Sequence, residues 1–265
     1  MLTVNPFTEL YTQIPPIVMQ VYVVVMVVLV VAGTIFDVLH KKSAKYFFEA
    51  GEKAKAARTR EVDGGEKVSI AVKTLAHDVL ASGEFCNPKR RLSHLLTMYG
   101  FVLFLLMTAI MVFGYTAADA VTPAVLPLLW HIGALMVMVG GYWFWFAIRV
   151  DVVAEGNPWY RIVRADLFIL SLLATTTFAI VWSAVQAGAG AGFWSMLFFI
   201  LFAVSGVVLF GGVPWSKFAH MFFKPAAAYQ RRVTEADGSR QNLPLPSDQP
   251  EKFGLGIGRE APRHY

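Results

Sequence analysis

The chain has 265 residues, of which 56% are apolar and only 15% charged, with a mean hydropathy of +0.54 and a net charge of +5. Soluble domains carry roughly 25% charged residues, so this composition excludes an ordinary soluble protein and predicts a polytopic membrane protein. The single cysteine, Cys86, excludes an internal disulfide and a four-cysteine zinc or iron–sulfur site. There is no GxxxxGK[ST] phosphate loop and no dinucleotide fingerprint.

The N-terminal segment carries no basic residue before the first apolar run, unlike a cleaved signal peptide. Five uncharged runs, roughly 17–36, 92–115, 125–148, 167–185 and 194–213, are long enough to cross a hydrocarbon core of about 30 Å. Each must be a helix, because an isolated strand would leave its backbone groups unsatisfied in lipid. The expected fold is an all-α integral membrane protein, a five-transmembrane-helix bundle over residues 1–232, with a loop at 37–91 and an extended tail at 233–265.

Lysine and arginine give its orientation. Residues 1–16 and the turns 116–124 and 186–193 have none, whereas 37–91 holds 12, 149–166 holds 3 and the stretch from Pro214 onward holds 8, the whole complement of 23. By the positive-inside rule the N-terminus is periplasmic and the C-terminus cytoplasmic. The basic balance then reflects flanks lying against an anionic leaflet and implies no nucleic acid.

The long loop 37–91 has two halves. KKSAKYFFEAGEKAKAARTREV has helix-forming composition and is expected to prolong the first helix until Gly64 and Gly65 break it. Beyond them Val68, Val72, Leu75 and Val79 share one helical face, which suits a helix on the membrane surface or a docking surface for a soluble partner. His40 and His77 in this region read as solvated loop side chains. The tail from Thr234 is rich in Pro, Gly and polar residues and cannot bury a core, so it is either disordered or ordered along a partner.

Three histidines lie in or beside the spans, where ionisable residues default to a functional hypothesis. His94 opens the second span after Arg90 and Arg91; His220 follows the fifth, in PWSKFAHMFFKP. Opposite chain directions bring the two to similar depth. Two facing imidazoles are what a low-spin b-type haem requires, and Arg90, Arg91 and Lys217 could meet its propionates; ordinary interfacial histidines are the competing reading. His131, at the other end of the third span, is either a quinone contact or a hydrogen bond between helices. Gly140–Gly141 marks close helix packing or a ring-plane approach rather than chemistry. With no Asp, Glu, Lys or Arg inside a span, a transporter is the weakest reading.

RRLSHLLTMYGFVLF opening the second span and PWSKFAHMFFKPAAAYQRRV closing the fifth resemble the gamma-subunit family of respiratory nitrate reductase, which includes the membrane half of the quinone-interacting oxidoreductase subunit QmoC. The resemblance covers roughly residues 10–232. It implies a cytochrome b subunit moving electrons between quinone and a cytoplasmic iron–sulfur protein, with His94 and His220 as the inner pair of haem ligands. The family's outer pair would fall ten residues after His94 and eighteen before His220, where this chain has Phe104 and Phe202. That departure implies a single haem b. Within the family, NPFTELY and DVLHKKSAKYFFE are most similar to the AprM type, the membrane anchors associated with adenylylsulfate reductase in some sulfur-oxidising bacteria. This implies a multi-pass protein of the bacterial cytoplasmic membrane whose partners are the flavin (alpha) and ferredoxin-like (beta) subunits of that enzyme. A haem-free anchor, or the gamma-type cytochrome b subunit of another respiratory reductase, are the alternatives.

Overall fold

The computed structural model describes residues 1–40, 43–83, 85, 87–151, 156–216 and 220–239. Among these every regular element is helical. The chain divides into two compact units, the first built from Met1–Asp37 and Leu92–Ala219, the second from Val38–Arg91 and His220–Tyr265. Lys217 and the tail from residue 240 lie outside the described residues.

In the first unit a short helix α1 (Pro6–Leu10) precedes α2 (Pro16–His40), α5 (Pro88–Gly114), α6 (Val125–Trp143, prolonged by a π turn at Phe144–Ile148), α7 (Leu167–Ala189, entered through a 3-10 turn at Arg164–Asp166) and α8 (Phe193–Gly211). Helices α2 and α5 cross the boundary between the units. These five long helices are the ones long and apolar enough to cross a membrane, at Pro16–His40, Pro88–Gly114, Val125–Ile148, Arg164–Ala189 and Phe193–Gly211. Their limits fall within about four residues of the uncharged runs, the helices continuing past those runs into charged residues such as Asp37 and Arg91.

Glycines and small residues let the helices approach. A Cβ on Gly100 of α5 would stand 2.7 Å from the Gly133 carbonyl of α6, and one on Gly140 would stand 2.7 Å from the Ser93 carbonyl. The two contacts lie seven residues apart on each helix, so α5 and α6 run antiparallel with their backbones touching at two levels. The Ser93 hydroxyl seals one of them by donating to the Gly140 carbonyl at 2.8 Å. Gly190, at φ +72°, turns α7 into α8. Helix α2 runs parallel to α8: the Tyr22 hydroxyl donates to the Ala203 carbonyl at 2.9 Å, and Gly33 seats Val213.

Helix α1 closes one end of this unit. The Asn5 side chain caps it by accepting from the Phe7 amide, and Pro6 stands in its first turn. Phe7 is fully buried, with its ring 6.0 Å from Trp130 and 5.4 Å from Trp182, and the Gln186 amide donates to the Pro6 carbonyl at 3.0 Å.

The second unit holds α3 (Ser43–Ala56), α4 (Gly64–Lys73) with a π-helical continuation at Thr74–Leu80, and α9 (His220–Ala236). The Gly64–Gly65 pair was expected to end a helix; instead it begins one. The Asp63 carboxylate caps α4 by accepting from the Glu66 amide at 2.8 Å, and the break falls earlier, at 57–63. Helix α9 runs to Ala236, past residue 232, where the tail was expected to begin.

Candidate functional site

His94 lies on α5, half-buried, seven residues before Phe101. Two turns of helix return a side chain to nearly the same face. Phe101 is buried and stacked on Phe210 of α8, with ring centres 6.3 Å apart. His94 therefore stands on the stripe of α5 that turns toward α8. His220 is the first residue of α9, in the second unit.

Phe104 and Phe202, the two positions that the resemblance gives to a second haem, come together. Their rings meet edge to face at 6.4 Å. Trp130 stacks on Phe104 at 5.1 Å and Trp182 on Phe202 at 5.8 Å, and all four side chains are buried. The space between α5 and α8 at this level is filled with aromatic rings that carry no iron-ligating atom. A haem does not fit there.

His131 is fully buried between α6 and α7. Its Nδ1 lies 2.7 Å from the Pro127 carbonyl, which can only accept, so that nitrogen carries the proton. Nε2 then accepts from the Ser183 hydroxyl at 2.8 Å. Beside it the Trp130 indole donates to the Thr108 hydroxyl at 2.8 Å, which donates in turn to the Phe104 carbonyl. Both ring nitrogens are thus engaged within the protein, the arrangement of a strut between helices.

Of the cations, Arg90 lies over the Phe85 ring at 5.7 Å, and Lys224 of α9 approaches the same ring at 5.4 Å. The Arg91 guanidinium donates to the Ala81 carbonyl at 2.8 Å. His77 is exposed and hydrogen-bonded to Asp78 at 2.8 Å. Asp78 receives both arms of Arg232 from α9, each at 2.7 Å, and that guanidinium holds its carboxyl down to about 2. Among the described residues no three His, Cys, Asp or Glu side chains gather as a metal site.

A second feature escaped sequence reasoning. Arg149, after the π turn of α6, is 1% exposed, and both terminal nitrogens of its guanidinium donate hydrogen bonds. It bonds Asp166 at 2.5 Å, donates to the Pro158 and Arg161 carbonyls at 2.9 and 2.7 Å, and lies over the Trp145 ring at 4.3 Å. The Asp166 carboxylate also accepts from the Val163 amide. This clamp ties the connection between α6 and α7 to the end of the bundle. Only the opposite signs of Arg149 and Asp166 at the two facing span ends could have suggested it.

No protein-family model, curated protein or solved structure matches this chain. What its fold and composition define is a class: an all-helical, multi-pass membrane protein with five candidate spans among the described residues.

Proposed function

We propose that this chain is the membrane anchor and electron-transfer subunit of a cytoplasmic iron–sulfur/flavin oxidoreductase in a bacterial inner membrane, adenylylsulfate reductase being the partner its sequence favours, and that it links that enzyme to the quinone pool. The observation that carries the reading is the pair of histidine motifs, RRLSHLL and PWSKFAH, each standing where an apolar helix begins or ends. The aromatic wall of Phe104 and Phe202 supports the smaller complement of one haem b. At the other level His94 offers a half-buried imidazole on the α8 side of α5, which suits one axial ligand.

In this reading His94 and His220 each give one neutral imidazole, and Arg90, Arg91 and Lys217 supply positive charge for the propionates. A haem held so would accept and release single electrons between the quinone and the soluble partner. The α5–α6 backbone contact fixes the helix that carries His94. His131, with both nitrogens occupied, holds α6 to α7; quinone contact there would require the Ser183 bond to open.

The test is a visible spectrum of the purified full-length chain made with haem in excess. One low-spin haem per chain is expected, lost in His94→Ala and in His220→Ala and kept in His131→Ala. A colourless protein that still captures the flavin and iron–sulfur subunits would leave the haem-free anchor in its place.

A further inference from the structure

Among the described residues outside the five spans, one helix carries an exposed apolar face. Along α4 and its π-helical continuation, Val68, Ala71, Val72, Leu75 and Ala76 occupy one side. Val68, Val72 and Leu75 are 64%, 62% and 55% exposed. The other side of the same helix is engaged: Thr74 is buried, and Asp78 is held by Arg232 of α9. Lys67 and Lys73 flank the open face, one on each side.

We infer that this face lies on the lipid surface of the membrane, as an interfacial helix with its aliphatic side chains among the acyl-chain ends and its lysines at the phosphates. Three observations favour lipid over a protein partner. First, the face is aliphatic and small throughout. Protein interfaces are anchored by aromatic and arginine side chains and carry about one hydrogen bond per 100–200 Å²; this face offers neither anchor nor donor. Second, flanking lysines on an otherwise apolar half-cylinder match a helix lying in the headgroup boundary, where their stems run along the apolar surface and their heads reach water and phosphate. Third, the membrane is within reach along the chain. Only seven residues, 81–87, separate Leu80 from Pro88, where α5 begins, and the apolar part of that helix follows at Leu92. An extended chain covers up to about 3.6 Å per residue. The helix thus sits on lipid by its open side, while its Thr74 and Asp78 side, with α9 packed on it, faces away. This reading stands without any haem or redox partner.

The experiment uses the full-length chain in nanodiscs of phosphatidylcholine and phosphatidylglycerol, in a Cys86→Ser background. Spin labels are placed singly through Val68→Cys, Val72→Cys and Leu75→Cys, with Lys53→Cys on the exposed side of α3 as the aqueous control. Relaxation by dissolved oxygen, which concentrates in lipid, is compared with relaxation by a polar nickel chelate, which stays in water. The three face positions should respond several-fold more to oxygen than to nickel, and Lys53→Cys the reverse. Strong nickel access at the face would show it bathed in water and overturn the proposal. Screening from both reagents would mean a protein on the face, a second copy or another chain, and would overturn it equally. The substituted side chains are exposed, so the variants should fold; equal monodispersity with the parent checks that they do.

Discussion

Arg149 shows what a single side chain can organise in this molecule. A guanidinium out of water needs its charge met and its donors engaged, and here one carboxylate meets the charge while two carbonyls within 2.9 Å and an indole face surround the rest of the group. Removing the carboxylate leaves a buried cation with no counter-charge. Asp166→Ala should therefore destabilise the protein by about 3–5 kcal/mol. The fall should appear as a lower thermal midpoint of the purified protein in detergent. Arg149→Met combined with Asp166→Ala, which removes both charges together, should recover much of it, since the charge rather than the contact is what becomes intolerable. If the double replacement were as unstable as Asp166→Ala alone, the carbonyl bonds and not the ion pair would be the stabilising part.

Among the elements, α9 is held in the second unit by the Arg232–Asp78 bond. The carboxyl of Asp78 sits near 2, first because Arg232 hydrogen-bonds it and then because His77 does, with burial opposing both. In an unfolded chain an aspartate titrates near 3.9. A carboxyl whose folded value is depressed contributes stability above its unfolded value and loses it as pH falls through the folded one. The bond's share, about 1–2 kcal/mol for a partly solvated pair, should thus be intact above about pH 4 and gone near pH 2. Hydrogen exchange along α9, followed between those pH values and corrected for the intrinsic rate, should show protection falling. Asp78→Asn should begin less protected and change less with pH. The same element shows why sequence reading reached some parts of the fold and missed others. The five spans were legible because a membrane forbids charge over a fixed length, whereas Phe104 and Phe202 were singled out only through the histidine spacing of the family that the sequence resembles. The role of α1 was not legible: NPFTELY has neither the length nor the pattern of a core element, and Phe7 is buried only because α6 and α7 leave room for it beside Trp130 and Trp182. Gly64 and Gly65 misled because glycine marks a break without saying on which side the helix lies; Asp63, one residue earlier, was the better sign, since a carboxylate there can accept from Glu66. The Asp78–Arg232 and Arg149–Asp166 bonds join residues 154 and 17 apart in sequence, and only the fold brings such partners together.

For the molecule as a whole, the unequal placement of charge predicts which face meets the cytoplasm. All 23 lysines and arginines lie in 37–91, 149–166 and the stretch from Pro214 onward; the N-terminal segment and the turns 116–124 and 186–193 contain none. Five crossings would put the two termini on opposite sides, and the cost of carrying lysine-rich segments outward against the membrane potential would select the side. Residues 37–91 and the stretch from Pro214 onward should then lie on the cytoplasmic side, and residues 1–16 on the periplasmic one. A reporter active only in the periplasm, fused after Tyr265, should be silent, and the same reporter fused within residues 116–124 should be active. The functional reading depends on this result more than on any single histidine. His94 and His220 flank basic segments, so an inverted topology would move both to the periplasmic face, where a cytoplasmic flavin enzyme could not reach them. An active reporter after Tyr265 would therefore end the proposal of a cytoplasmic redox partner, even if a haem were found.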